Sequence, residues 1–148
     1  MAQHDRNISE SNVNAFITKE MRRRGFLVIR EERFNPCELD VVLLDRLSLR
    51  LSAIEIKRRH WKSLLAQAVR AMLFCHFVTA AMPASMEPAV PAEAFAFRGV
   101  GLVFYEGTAK DLKLRVVSPP ALSQRINRSL KRQVYKRFYE RCGDFLYA

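Results

Sequence analysis

The stretch ELDVVLLDRLSLRLSAIEIKRRHWKSLLAQAVRA, residues 38–71, decides how this chain is read. ELDVVLLD carries the continuous apolar run Val41-Val42-Leu43-Leu44, which predicts a strand buried on both faces. RLSLR turns the chain into LSAIEIK, a further strand whose apolar and polar residues alternate near its end. HWKSLLAQAVRAMLF follows without Gly or Pro. Its Trp61, Leu64, Leu65, Ala68, Met72 and Leu73 form an apolar stripe, which predicts a helix with Trp61 anchored in the core.

Upstream, Ser9 or Ser11 is placed to cap a helix running to about Arg24. Val13, Phe16, Ile17 and Met21 share one face, and Gly25 stands where a helix-ending glycine belongs. FLVIRE then reads as a short strand, and Asn35-Pro36 as a turn. Downstream, HFVTAAM reads as another strand, and Pro83, Pro88 and Pro91 mark a loop. PAEAFAFR suits a short helix. VGLVFYEG and LKLRVVS suit a β-hairpin ended by Pro119-Pro120, and residues 121–143 form a basic amphipathic helix. The order α-β-β-β-α-β predicts an α/β fold with a mixed central sheet flanked by helices, extended by a C-terminal β-hairpin and a basic helix. One domain over residues 1–148 is expected, with its core at about 9–82 and its extension at about 97–148.

The 148 residues are 49% hydrophobic and 27% charged, which argues against wholesale disorder. Lys and Arg number 25 against 15 Asp and Glu, a formal net charge of +10 that makes a polyanion the natural partner. Nucleic acid is the expected one, with an anionic lipid surface as the rival. Three cysteines, none in a CxxC pair, read as reduced thiols. The polar opening residues and the lack of a long apolar run predict a cytoplasmic protein with no membrane span.

Asp40 near the start of the second strand, with Glu55 and Lys57 at the end of the third, supplies what metal-assisted phosphodiester hydrolysis requires. Carboxylates suit Mg²⁺, and a cation can face the phosphate or the attacking water. Glu55 and Lys57 are two apart on a strand and share a face, while Ile56 points into the core. Antiparallel pairing through a short turn sets Asp40 against Glu55 and Lys57. Glu38 shares a strand face with Asp40 and is a further candidate.

ELDVVLL…AIEIKRRHWKSLLAQAVRA resembles the active-site core of the PD-(D/E)XK nuclease superfamily, which includes restriction enzymes and Holliday-junction resolvases. The resemblance covers roughly residues 9–82 and implies a restriction-endonuclease-like αβββαβ core. It further implies that Asp40 and Glu55 bind Mg²⁺ or Mn²⁺ and that Lys57 orients water or stabilises transition-state charge. Leu39 stands where the superfamily has a proline. Many members add an acidic residue from the first helix, for which Glu10 and Glu20 are the candidates. Chain direction favours Glu10 as a catalytic residue and metal ligand. Glu10 lies about 22 Å up the helix from Gly25 at ~1.5 Å per residue, level with Asp40. Several branches use a glutamine where Gln67 stands.

Arg58 and Arg59 adjoin the site as candidate phosphate contacts. Arg125, Arg128, Arg132 and Lys136 fall on one side of the terminal helix and are expected to track a nucleic-acid backbone. His60 and His76 lack metal-ligand spacing and read as structural. The expectation is a Mg²⁺- or Mn²⁺-dependent nuclease acting on DNA, with a homodimer as a further expectation. The rival is a catalytically inactive nucleic-acid-binding or assembly module on the same fold.

Overall fold

The computed structural model describes residues 8–146, with side chains described to residue 143. The polar segment 1–7 and the side chain of Asp144 lie outside the described residues. Helix α1 spans Glu10–Arg23, and its first turn is closed by Ser9, whose Oγ accepts the Asn12 N–H at 3.0 Å. It stops at Arg24, and Gly25 takes the positive φ of 97° that reverses the chain. Strands β1 (Leu27–Phe34), β2 (Cys37–Leu44) and β3 (Leu51–Ile56) follow, then helix α2 (Trp61–Ala71) and strand β4 (Phe77–Pro83). A 3-10 helix at Ala84–Ala89 and a short helix α3 (Ala92–Phe97) lead into the hairpin of β5 (Gly101–Thr108) and β6 (Asp111–Ser118). Helix α4 (Arg128–Leu146) ends the described chain.

The six strands lie in chain order, β1 to β6, in one mixed sheet. β1, β2 and β3 pair antiparallel, β3, β4 and β5 parallel, and β5 and β6 antiparallel. This is the αβββαβ order expected from the sequence, with the hairpin added at the far edge. Val13 and Ile17 of α1 pack with Val28, Val41, Leu43, Ile56, Ala81, Tyr105 and Leu112 on one face. Leu64 and Ala68 of α2, Phe95 of α3, and Val134 and Phe138 of α4 fill the other face over Ile29, Phe34, Leu39, Val42, Ala53 and Phe104.

Strand alternation breaks in the β1–β2 pair. Leu39 and Val42 both face α2 although they stand three positions apart, and Ile29 and Phe34 do so five positions apart. Both breaks fall at the same level, because Arg30 pairs with Val41 and Glu32 with Leu39, so that Glu31 lies opposite Asp40. Glu31 absorbs the break with a positive φ of 51°, a conformation costing a non-glycine residue about 1 kcal/mol or more.

The terminal helix corrects the expected boundary. It begins at Arg128, not near residue 121, because the preceding segment uses its backbone elsewhere. The Ala121 N–H donates to Gly99 C=O, the Ser123 N–H to His76 C=O and the Asn127 N–H to Leu73 C=O. The Ser123 hydroxyl donates to Met72 C=O at 2.8 Å. Only then does Asn127 Oδ1 accept the Leu130 N–H and open the helix. Arg125 therefore precedes the helix instead of sharing a helical face with Arg128, Arg132 and Lys136. Among the described residues no helix is long and apolar enough to cross a membrane.

Candidate active site

The β2–β3 ladder runs from Leu44 opposite Leu51 to Val41 opposite Ile54. Asp40 and Glu55 occupy the next matched positions, where the bridging stops. The Asp40 N–H donates to Glu55 Oε2 at 2.9 Å, and the Ile56 N–H donates to Asp40 Oδ2 at 2.8 Å. Each carboxylate thus satisfies a main-chain donor that the ladder has released. Glu55 is only 2% exposed, and Asp40 is half-buried.

Burial pushes the Asp40 pKa above the usual carboxylate range. The Ile56 N–H opposes that shift, and the charges of Glu10, Glu38 and Glu31 add to it. Burial also raises Glu55 well above its ordinary value, with the Asp40 charge adding to the effect. The Asp40 N–H and the Arg70 charge work against it.

Glu10 opens α1 at this level, its Oε1 accepting the Arg58 N–H at 3.1 Å. Glu20 lies toward the helix's other end, paired with Arg23 and Arg24. One turn after Glu10, buried Asn14 reaches the same strand, its Nδ2 donating to the Asp40 C=O at 3.0 Å. Arg30 Nε donates to Asn14 Oδ1 at 2.6 Å, and the Thr18 hydroxyl donates to the same oxygen. Lys57 lies one residue past β3, and its N–H extends the parallel ladder to Ala81 C=O at 3.2 Å. Its side chain is half-buried and, among the described residues, in no ion pair.

Two clefts open at this end of the sheet. One, of about 430 Å³, is lined by Pro36, Cys37, Glu38, Leu39, Glu55, Gln67 and Arg70. Gln67 is therefore brought to Glu55. So is Arg70, which the sequence reading passed over. Its position three residues after Gln67, on the same side of α2, was the available signal. The other cleft, of about 400 Å³, is lined by Arg58, Arg59, His60, Pro83, Ser85 and Met86.

Arg125 and Arg128 are not brought to Asp40 and Glu55. Ser123 and Asn127 tie Arg125 and Arg128 to the ends of α2 and the start of β4, and the charge of neighbouring Lys131 acts on His76. That is the Leu51 end of β3, about 16 Å from Ile56 at ~3.3 Å per residue. Lys136 is exposed farther along α4. His76 has a structural role, its Nδ1 accepting the Leu51 N–H at 2.9 Å. Trp61 is half-buried against Phe95, ring centroids 6.3 Å apart. His60 takes a positive φ of 63° just before α2.

No family model matches the chain, and no curated protein matches it. A protein of unknown function from Silicibacter pomeroyi superposes over 95% of this chain and 90% of its own, with a TM-score of 0.64 at 17% identity. The two share a fold. A repair endonuclease from Pyrococcus abyssi matches over 65% of this chain and 46% of its own, with a TM-score of 0.49 at 21% identity.

Carboxylate oxygens are the donor type that a hard divalent cation prefers. Asp40, Glu55 and Glu10 are oxygen donors, and Mg²⁺ binds through one or two carboxylates while keeping several waters. A buried acid whose charge is opposed by its neighbours gains most from such an ion. Among the described residues no three His, Cys, Asp or Glu side chains converge as ready-made ligands. Both inner carboxylates instead rest on main-chain N–H groups.

Proposed function

We propose that this protein is a metal-dependent nuclease that hydrolyses phosphodiester bonds in DNA. Asp40, Glu55 and Glu10 hold Mg²⁺ or Mn²⁺ in this reading, and Lys57 faces the reacting phosphate. The observation that supports it most is the pair of acids meeting where the β2–β3 ladder ends, with Glu10 beside them and Lys57 two residues on. The metal, when bound, polarises the phosphate and lowers the pKa of a bound water. Asp40 and Glu55 supply the negative charge that retains the cation. Lys57 carries a positive charge, engaged in no ion pair among the described residues, to set against the phosphate. Arg58 and Arg59, at the mouth of the second cleft, hold the substrate backbone in place. Arg125 and Arg128 attract the strand electrostatically from the opposite end, and Arg132 and Lys136 do so along α4.

The test is cleavage of single-stranded, duplex and branched DNA by the purified protein with Mg²⁺ or Mn²⁺. Wild-type protein should cut at least one form, and Lys57→Ala should lose at least about 100-fold in rate, the usual scale for removing a transition-state charge contact. Equal activity in the variant defeats the assignment. A second reading has its own support: the inner carboxylates are already satisfied by main-chain N–H groups, as a non-catalytic nucleic-acid-binding or assembly module would allow. That reading expects salt-dependent DNA binding without cleavage or metal-induced stabilisation.

A further inference from the structure

The cleft between the β1–β2 hairpin and α2 contains one guanidinium, that of Arg70, whose charge acts on Glu55 across the cleft without closing an ion pair among the described residues. Arg137 and Arg141 both close on Glu32, whose strand partner Leu39 lines the cleft. Arg70 is exposed and, among the described residues, in no ion pair, although Glu38 and Glu55 line the same 430 Å³ space. It follows Gln67 by three residues on α2, so both polar heads face the cleft from one helix side. The opposite wall is Pro36, Cys37, Glu38 and Leu39. A space walled by two carboxylates repels an anion unless a cation stands inside it. A planar guanidinium with a neighbouring amide is a good fork for the oxygens of a phosphate.

We propose that this cleft is a phosphate-binding subsite for a nucleic-acid strand, with Arg70 as its cation and Gln67 as an additional donor. It puts one strand contact on the α2 face of the sheet, next to Glu55 and apart from the cleft of Arg58 and Arg59. The proposal shares the nucleic-acid partner of the reading above and is independent of catalysis.

The experiment measures binding of fluorescent single-stranded and duplex oligonucleotides in EDTA, by anisotropy across a salt series. Wild type, Arg70→Ala, Arg70→Lys and Arg98→Ala are compared, each checked for an unchanged melting temperature. Arg98 is an exposed arginine at the end of α3 and controls for loss of net charge. Arg70→Ala should weaken binding about five-fold at low salt. It should also flatten the salt slope by about 0.9 for duplex or about 0.7 for a single strand, one phosphate contact. Arg70→Lys should keep the slope. Whichever substrate shows the larger loss identifies the source of the phosphate. An Arg70→Ala effect no larger than that of Arg98→Ala overturns the subsite, and so does wild-type protein that binds neither oligonucleotide. Binding with the expected Arg70 dependence but no cleavage in Mg²⁺ or Mn²⁺ supports the subsite and defeats the nuclease reading.

Discussion

Asp40 and Glu55 stand opposite each other one step past the last β2–β3 bridge, and each places its carboxylate on a main-chain N–H of the other's strand. The side chains complete a ladder that the main chain abandons. Burial raises the pKa of both acids, and the Asp40 charge adds to the rise at Glu55, while the two main-chain N–H groups work against it.

Glu55→Gln should separate stability from metal binding. The amide oxygen can still accept the Asp40 N–H, and a buried charge disappears. The metal-free variant should melt at or above the wild-type temperature. Mn²⁺ at about 100 times its Kd should stabilise wild type by about 2.7 kcal/mol, and the variant by far less. A thermal-shift titration reads both, and equal metal stabilisation of the two proteins removes Glu55 from the ligand set.

Asn14→Ala should destabilise the fold by about 1–3 kcal/mol, since it strands the buried Asp40 carbonyl and the Arg30 Nε donor together. The urea midpoint checks it. A change below about 0.5 kcal/mol would show that neither group depends on the amide.

Glu32 gives the fold a defined acid sensitivity. Burial raises its pKa, but hydrogen bonds from Arg141 and Arg137 outweigh burial and leave it below the usual carboxylate range. A depressed folded-state pKa contributes stability that is present above the unfolded value, about 4.3, and lost as pH falls through the folded one. Glu32→Gln should therefore cost about 1–2 kcal/mol at pH 7, discounted for the exposed Arg141. The difference from wild type should shrink as pH drops below the ordinary carboxylate range. Denaturant unfolding at pH 7, 4 and 3 measures it, and a difference independent of pH contradicts the ion-pair account.

Phe138 and Tyr139 are neighbours on α4 with opposite fates, the first fully buried and the second 55% exposed. Phe138→Ala should cost about 3–5 kcal/mol by opening a cavity under the helix. Tyr139→Ala should cost clearly less, because its ring stands mostly outside the packed core. Similar losses in both would mean that α4 docks by another face.

Local pattern was enough for much of this. Alternation and apolar runs located the strands, and the short turns between β1, β2 and β3 made those pairs antiparallel. Antiparallel pairing through a short turn then set Asp40 against Glu55 and Lys57. Chain direction put Glu10 at the same level, where its carboxylate meets the Arg58 N–H. Pattern failed where backbone polar groups had distant partners. Residues 121–127 look helical by composition, yet the N–H groups of Ala121, Ser123 and Asn127 go to Gly99, His76 and Leu73, and the Ser123 hydroxyl goes to Met72.

The sequence by itself determined the order of elements, the mixed sheet and the alignment of the two acids, because short-range periodicity and chain length control all three. Only the tertiary structure decided how the acids are held. The alternation break shared by Glu31 and Asp40 depends on packing against helices on both faces, and no periodic signal encodes it. The joining of Glu32 to Arg137 and Arg141 spans more than 100 residues. The cleft that sets Arg70 beside Glu55 exists only once α2 lies across the hairpin. Such contacts depend on three-dimensional closure, which fixes distances that spacing along the chain leaves free.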